Sequence, residues 1–131
     1  MRQVAVAVAV IVNAHQQVLV SKRANHQHQG GLWEFPGGKI EAGESLLTAL
    51  VREVQEELNL YISDAEPLLE VAHDYGDKQV LLQVCWVTQF SGAVQANEGQ
   101  LWQWADATKL AQLQFPAANV PILAAVLERL R

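Results

Sequence analysis

Glu53, Glu56 and Glu57 are the residues of this chain whose type and spacing point most directly to chemistry. Carboxylates gathered on one surface bind hard divalent cations through oxygen, and a cation so held can act on an anionic substrate. A helix is what would gather them. Each residue turns about 100°, so with Glu53 at zero, Glu57 falls at about +40° and Glu56 at about −60°. Leu47, Leu50, Val51, Val54 and Leu58 fall at about +60° to +160°, so the acidic face borders the stripe that such a helix buries. Without a cation the arrangement is unfavourable. Glu53 and Glu57 are like charges at i,i+4, costing roughly 0.2–0.5 kcal/mol, and all three lie in the later turns, where the helix dipole favours positive charge. The competing reading is an ordinary solvated face, with Arg52 and Glu56 as an i,i+4 ion pair.

The stretch Gly37–Leu60 must position these groups. Pro36-Gly37-Gly38 reads as a turn whose backbone can approach a phosphate or metal closely. Ser45 is the expected N-cap, and the helix runs to Leu58. Upstream, Val4–Val12 alternates Val with Ala and predicts a long strand buried on both faces. With Arg2 before it the run resembles a signal peptide, but it is too short to span a bilayer and its pattern favours the strand. Asn13–Gln17 is a polar turn, and Val18–Lys22 is expected to pair back on the first strand. Ala24–Gly31 is polar and predicts a mobile loop; His26 and His28 lack the partners of a zinc site. Leu32–Phe35 is a short strand.

Downstream, Pro67–Tyr75 and Gln79–Phe90 form a hairpin about Gly76-Asp77-Lys78. Asn97–Gln100 is a loop before the strand Leu101–Trp104. Asp106–Ala111 is a short helix and Phe115–Asn119 is irregular. Pro121 opens a last helix to Leu130, with Arg129 and Arg131 near its end. Strands flanking two helices predict an α/β fold with a mixed β-sheet in an α/β/α sandwich. One domain over residues 1–131 accommodates it.

Half of the 131 residues are apolar and 18% are charged, the balance of a globular chain. The net charge of −5 argues against binding a nucleic acid polymer or an anionic membrane. A small polyanion remains compatible if cations neutralise the site. Cys85 is the lone cysteine and sits in an apolar run, which predicts a buried thiol and fits a reducing cytoplasm.

Gly38, Glu44, Arg52, Glu53, Val54, Glu56, Glu57 and Leu60 stand at fixed spacings that resemble the signature of the Nudix hydrolase family. The one departure is Asn59, where the family usually has Gly; Asn is the next-best residue for a left-handed cap. Three features outside the signature resemble the MutT-type subgroup, which removes oxidised guanine nucleotides: the run Glu34-Phe35-Pro36-Gly37-Gly38-Lys39, Glu98 within Glu-Gly-Gln, and Phe115–Asn119 followed by Pro121.

The resemblance implies a Nudix fold and Mg²⁺-dependent hydrolysis, with Mn²⁺ as the substitute ion. The expected substrate is 8-oxo-dGTP, cut to monophosphate and pyrophosphate, with a monomer as the expected state. The implied metal ligands are Glu53, Glu56, Glu57, Glu98 and the Gly37 carbonyl. The general base is Glu53 or Glu98. Glu44 and Arg52 have supporting roles, Arg52 by orienting the glutamates. Arg23 and Lys39 are the cations for the phosphates, and Phe35 and Gly38 complete the substrate site.

The base reader implied by the resemblance is Asn119. A carboxamide offers a donor and an acceptor side by side. Guanine presents two acceptors, O6 and N7; oxidation at C8 puts a hydrogen on N7, so one amide then satisfies both atoms. Adenine also pairs a donor with an acceptor, so Asn119 alone does not fix the base, and a cap on the last helix is its other reading. The remaining alternatives are a Nudix hydrolase for an ordinary dNTP, a nucleoside diphosphate sugar or a dinucleotide polyphosphate, and a non-catalytic nucleotide-binding module.

Overall fold

The computed structural model describes residues 2–22 and 31–130. In chain order these form β1 (Arg2–Ile11), β2 (Val18–Lys22), β3 (Trp33–Glu34), β4 (Gly37–Lys39), α1 (Leu46–Leu58), β5 (Tyr61–Asp74), β6 (Lys78–Ser91), β7 (Leu101–Ala105), α2 (Ala107–Leu110) and α3 (Val120–Arg129). A 3₁₀ turn, Ala117–Asn119, leads into α3. Arg23, His26 and His28, with all of the expected mobile loop except Gly31, lie outside the described residues.

The Val/Ala alternation of β1 explains the layering. Ala7, Ala9 and Ile11 face α1, in a core shared with Ala49, Leu50, Val54 and Leu58. Val8, Val10 and Val12 face the other way, in a core shared with Ile122 and Val126 of α3. Ala7 and Ala9 on the first face leave room for α1, while branched Val8, Val10 and Val12 fill the second. β1 is thus buried on both faces, as its composition predicts, in a four-stranded sheet of order β4-β1-β6-β5. β1 runs parallel to β6 and antiparallel to β4, and β5 runs antiparallel to β6, so the sheet is mixed. The α/β/α sandwich is the observed architecture.

Three expectations need correction. β2 does not pair back along β1; a single bridge, Val12–Val18, joins them, and β2 instead lies between β3 and β7 in a second, antiparallel sheet. Both edges of β1 are already taken, one by β4 and the other by β6 over ten residue pairs. Gly37–Lys39 is a strand rather than a turn, with Gly37 opposite Val8 and Gly38 opposite Ala7. The strand expected from Pro67 begins at Tyr61, and register shifts after Ile62, Asp64 and Pro67 interrupt its alternation. Such bulges erase the period-two pattern by which a strand is read. Among the described residues no helix is long and apolar enough to cross a membrane.

Candidate active site

The hydroxyl of Ser45 caps α1, accepting from the Thr48 N–H at 3.1 Å. Leu50, Val54 and Leu58 are fully buried, as the wheel predicts. Ala49, at about −40° on that wheel, is fully buried too. The buried arc therefore includes the angles of Glu53 and Glu57 rather than merely bordering them. Leu47 has a core-facing angle but is 47% exposed, because a wheel does not report how far along the axis the covering layer extends.

Glycines make that burial sterically feasible. A Cβ at residue 38 would stand 2.3 Å from the Glu53 carboxylate, and one at residue 37 would stand 2.0 Å from the Ala7 carbonyl oxygen. A strand without side chains at these points lets α1 lay its carboxylates on the backbone of β4. The Gly37 N–H points to Glu57 Oε1 at 3.4 Å.

Arg52 organises the N-terminal half of this surface. Its Nε and Nη2 donate to the two oxygens of Glu44 at 2.7 and 2.8 Å, a bidentate fork. Nη1 donates to Glu53 at 2.9 Å and lies 3.6 Å from Glu56, and Nη2 also reaches the Lys39 carbonyl at 3.2 Å. The hydrogen bond from Arg52 holds the Glu44 carboxyl down at about 2, with help from the Glu41 N–H. Glu56 is the outermost of the three helix glutamates, with 59% of its side chain exposed.

Glu57 has the opposite environment. Desolvation, followed by the charges of Glu98, Glu34 and Glu53, pushes its carboxyl up to about 8, and the Gly37 N–H only partly offsets this. Glu98 is exposed, on the loop that precedes β7. That loop closes the C-terminal end of α1, where four carbonyls have no partner within the helix. Each of the four is satisfied. Asn59, left-handed at φ 62°, donates to Gln55 O. The Asn97 side chain donates to Gln55 O and Glu56 O at 3.3 and 2.9 Å. The Asn97 N–H and the Gln100 side chain donate to Glu57 O at 3.1 and 3.2 Å, and the Gln95 N–H donates to Leu58 O at 3.0 Å.

On the α3 side of β1 a cleft of about 250 Å³ is lined by Val6, Val8, Phe35, Gly37, Gly38, Lys39, Leu82 and Asn119, with Glu34, Tyr75 and Pro116. Phe35 is buried and stacks on Phe115, ring centroids 5.1 Å apart. Asn119 stands at the N-cap position of α3, but its side chain makes no capping hydrogen bond. Phe35, Gly38, Lys39 and Asn119, which are far apart in sequence, thus share one cleft. Gly37 and Gly38 line it and also touch Glu57 and Glu53. Arg23 lies outside the described residues.

Sequence reasoning passed over Asn97 and Gln100, and it gave Glu34 no role at the acidic site. The first two left a signal: four orphan carbonyls at a helix end require donors, and a carboxamide-rich loop can supply them. Glu34 left none, because its influence on Glu57 arises only from the fold.

Among the described residues no three His, Cys, Asp or Glu side chains converge closely enough to form a ready metal cage. The donor set nevertheless fits a divalent cation. Its oxygens belong to carboxylates crowded by like charges, with Glu57 raised to about 8 by desolvation and then by the charges of Glu98, Glu34 and Glu53.

Comparison with known proteins finds relatives over nearly the whole chain. The chain is 33% identical over 124 residues to the 8-oxo-dGTP diphosphatase of Escherichia coli K12, covering 95% of this chain and 96% of that one. It is 34% identical over 118 residues to the CTP pyrophosphohydrolase of the same strain, covering 90% of this chain and 87% of that one. A MutT structure from a study of Aliivibrio salmonicida and Vibrio cholerae superposes with a TM-score of 0.87 at 32% identity, over 98% of this chain and 99% of that one. Residues 7–125 match the NUDIX domain, and the chain belongs to the Nudix family.

Proposed function

We propose that this protein is a Nudix pyrophosphohydrolase of the 8-oxo-dGTP diphosphatase type, cutting an oxidised purine nucleoside triphosphate to its monophosphate and pyrophosphate. One observation carries the reading: a single cleft is lined by Asn119 at one part and Gly37-Gly38-Lys39 at another, and the same glycines abut the α1 glutamates. A purine between Phe35 and the apolar floor of Val6, Val8 and Leu82 would offer its edge to the Asn119 carboxamide. Its phosphates would then extend over Lys39 toward the carboxylates.

Nudix hydrolases generally need a divalent metal, and Mg²⁺, or Mn²⁺ in its place, is the ion proposed here. Glu53, Glu56, Glu57, Glu98 and the Gly37 carbonyl would hold it. When bound it supplies Lewis acidity toward the phosphoryl oxygens and positive charge for the leaving nucleoside monophosphate. Arg52 orients Glu53 and Glu56. Glu53 is already engaged by Arg52 at 2.9 Å, whereas the Glu98 carboxylate has no hydrogen bond among the described residues. Glu98 is therefore the proposed acceptor of the proton from the attacking water. Water adds at the β-phosphorus and the bond to the α-phosphate oxygen breaks.

The CTP-specific name of one relative favours a second reading, an ordinary nucleotide as substrate. Pyrophosphate release from 8-oxo-dGTP, dGTP and CTP, with and without Mg²⁺, separates the two. The first reading expects 8-oxo-dGTP to be cut far faster than dGTP. It also expects Asn119→Ala to cost about 1–3 kcal/mol of that preference, the worth of a bidentate base contact. Equal rates on 8-oxo-dGTP and dGTP, or CTP as the best substrate, overturn it. Single-domain organisation over residues 1–131 and a monomeric state belong to the same proposal, and light scattering of the purified protein tests the latter.

A further inference from the structure

We propose that Gln100 is a positioning residue that fixes Glu98 against the acidic surface, with Asn97 as its second anchor. The inference rests on the functional reading above, in which Glu98 takes part in the reaction.

The carboxamide of Gln100 makes two hydrogen bonds in opposite directions. Its Nε2 donates to the backbone carbonyl of Glu57 at 3.2 Å, and its Oε1 accepts the backbone N–H of Glu98 at 3.1 Å. One planar group therefore ties the main chain of the helix glutamate to that of the loop glutamate, as only a side chain with both a donor and an acceptor can. Asn97 grips the same helix end from the other side of Glu98, with its side chain on Gln55 O and Glu56 O and its N–H on Glu57 O. Glu98 is the residue between Asn97 and Gly99, and a glycine in a left-handed turn at φ 72° has no steric restraint of its own. Glu98 is itself exposed, so burial does not hold it in place. The Gly99 N–H closes the turn onto Ala96 O at 3.0 Å, and the carboxamide anchors tie that turn to the end of α1, so the point from which the Glu98 side chain projects depends on them. Partners of this kind, which orient a ligand without touching the substrate, typically matter by 10–100-fold in activity.

Gln100→Met keeps the length of the side chain and removes both hydrogen bonds; Asn97→Ala removes the side-chain anchor alone. Two readouts decide the matter. In metal-free protein, amide hydrogen exchange at Glu98 should rise in both variants while the interior of α1 stays protected. With whichever of 8-oxo-dGTP or CTP the parent protein cuts faster, kcat should fall by roughly 10–100-fold, with KM within a few-fold because the Asn119 cleft is untouched. Unchanged exchange at Glu98, or kcat within twofold of the parent despite faster exchange, overturns the proposal. So does a loss confined to KM. Glu98→Gln is the companion variant. If it turns over at the parent rate, Glu98 has no part in the reaction and the functional reading fails with the bridge; if it is inactive while Gln100→Met is not, the bridge fails alone.

Discussion

Glu44 and Glu57 belong to the same acidic stretch and have opposite environments. Glu44 lies in the fork of Arg52 and is held at about 2. Glu57 is desolvated, faces the charges of Glu98, Glu34 and Glu53, and is pushed up to about 8. One end of the acidic surface is internally neutralised by Arg52; the other gathers carboxylates about Glu57, whose rise no cationic side chain among the described residues offsets. A cluster of glutamates is therefore not one electrostatic object. The part already paired acts as a buttress, and the part left unpaired is where a cation has most to gain.

The largest effect expected from breaking this contrast is at Glu57. Glu57→Gln removes the charge but not the volume, so the fold should persist while turnover falls by more than about 100-fold, beyond what outer partners usually cost. Steady-state rates and a thermal melt of the same sample check this; near-parent activity would remove Glu57 from the metal site. Removing the buttress comes next. Arg52→Ala frees Glu44 and Glu53 together and should lower kcat by about 10–100-fold. Arg52→Lys should restore little of it, because an ammonium cannot make a bidentate fork. Full rescue by Lys would mean that charge alone, and not the fork, orients Glu53.

The pH dependence of stability sharpens the comparison further. Glu57 has its folded value raised from 4.5 to about 8, so its favourable contribution is complete below 4.5 and is lost as pH rises through 8. Glu44 is lowered from 4.5 to about 2, so its contribution is present above 4.5 and is lost as pH falls through 2. Urea unfolding of metal-free protein should accordingly lose the decline between pH 4.5 and 8 in Glu57→Gln and the acid limb in Glu44→Gln. A parent profile flat between pH 5 and 8, the interval set by the Glu57 shift, would contradict the environment assigned to Glu57. The smallest effect is at the helix end, where Asn59→Gly relieves a left-handed residue but loses weak 3.4 Å contacts with Ala93 and Tyr61. It should change stability by less than about 1 kcal/mol in either direction.

Much of the scaffold was legible because its signals are local. The Val/Ala alternation of β1, the Ser45 cap, the span of α1 and the hairpin after Tyr75 each follow from a few adjacent residues. The failures share a different cause. Local pattern pairs β2 with β1, but strand pairing depends on which edges are already occupied, and β4 occupies one edge of β1 from a distant part of the chain. The first residues of β5 were missed because bulges break alternation. Asn97 and Gln100 read as loop because their partners are carbonyls some forty residues upstream in the chain.

By itself the sequence determined that Glu53, Glu56 and Glu57 share a helix face, that a glycine pair precedes that helix and that a sandwich encloses it, since periodicity, capping and glycine content are properties of neighbouring residues. Only the tertiary structure decided which carboxylate is neutralised and which is left wanting a cation. That depends on where Arg52 reaches, on the absence of Cβ atoms in β4, and on which loop closes the end of α1. Electrostatic character follows distance in space and access to solvent, and neither is encoded at any fixed spacing along the chain.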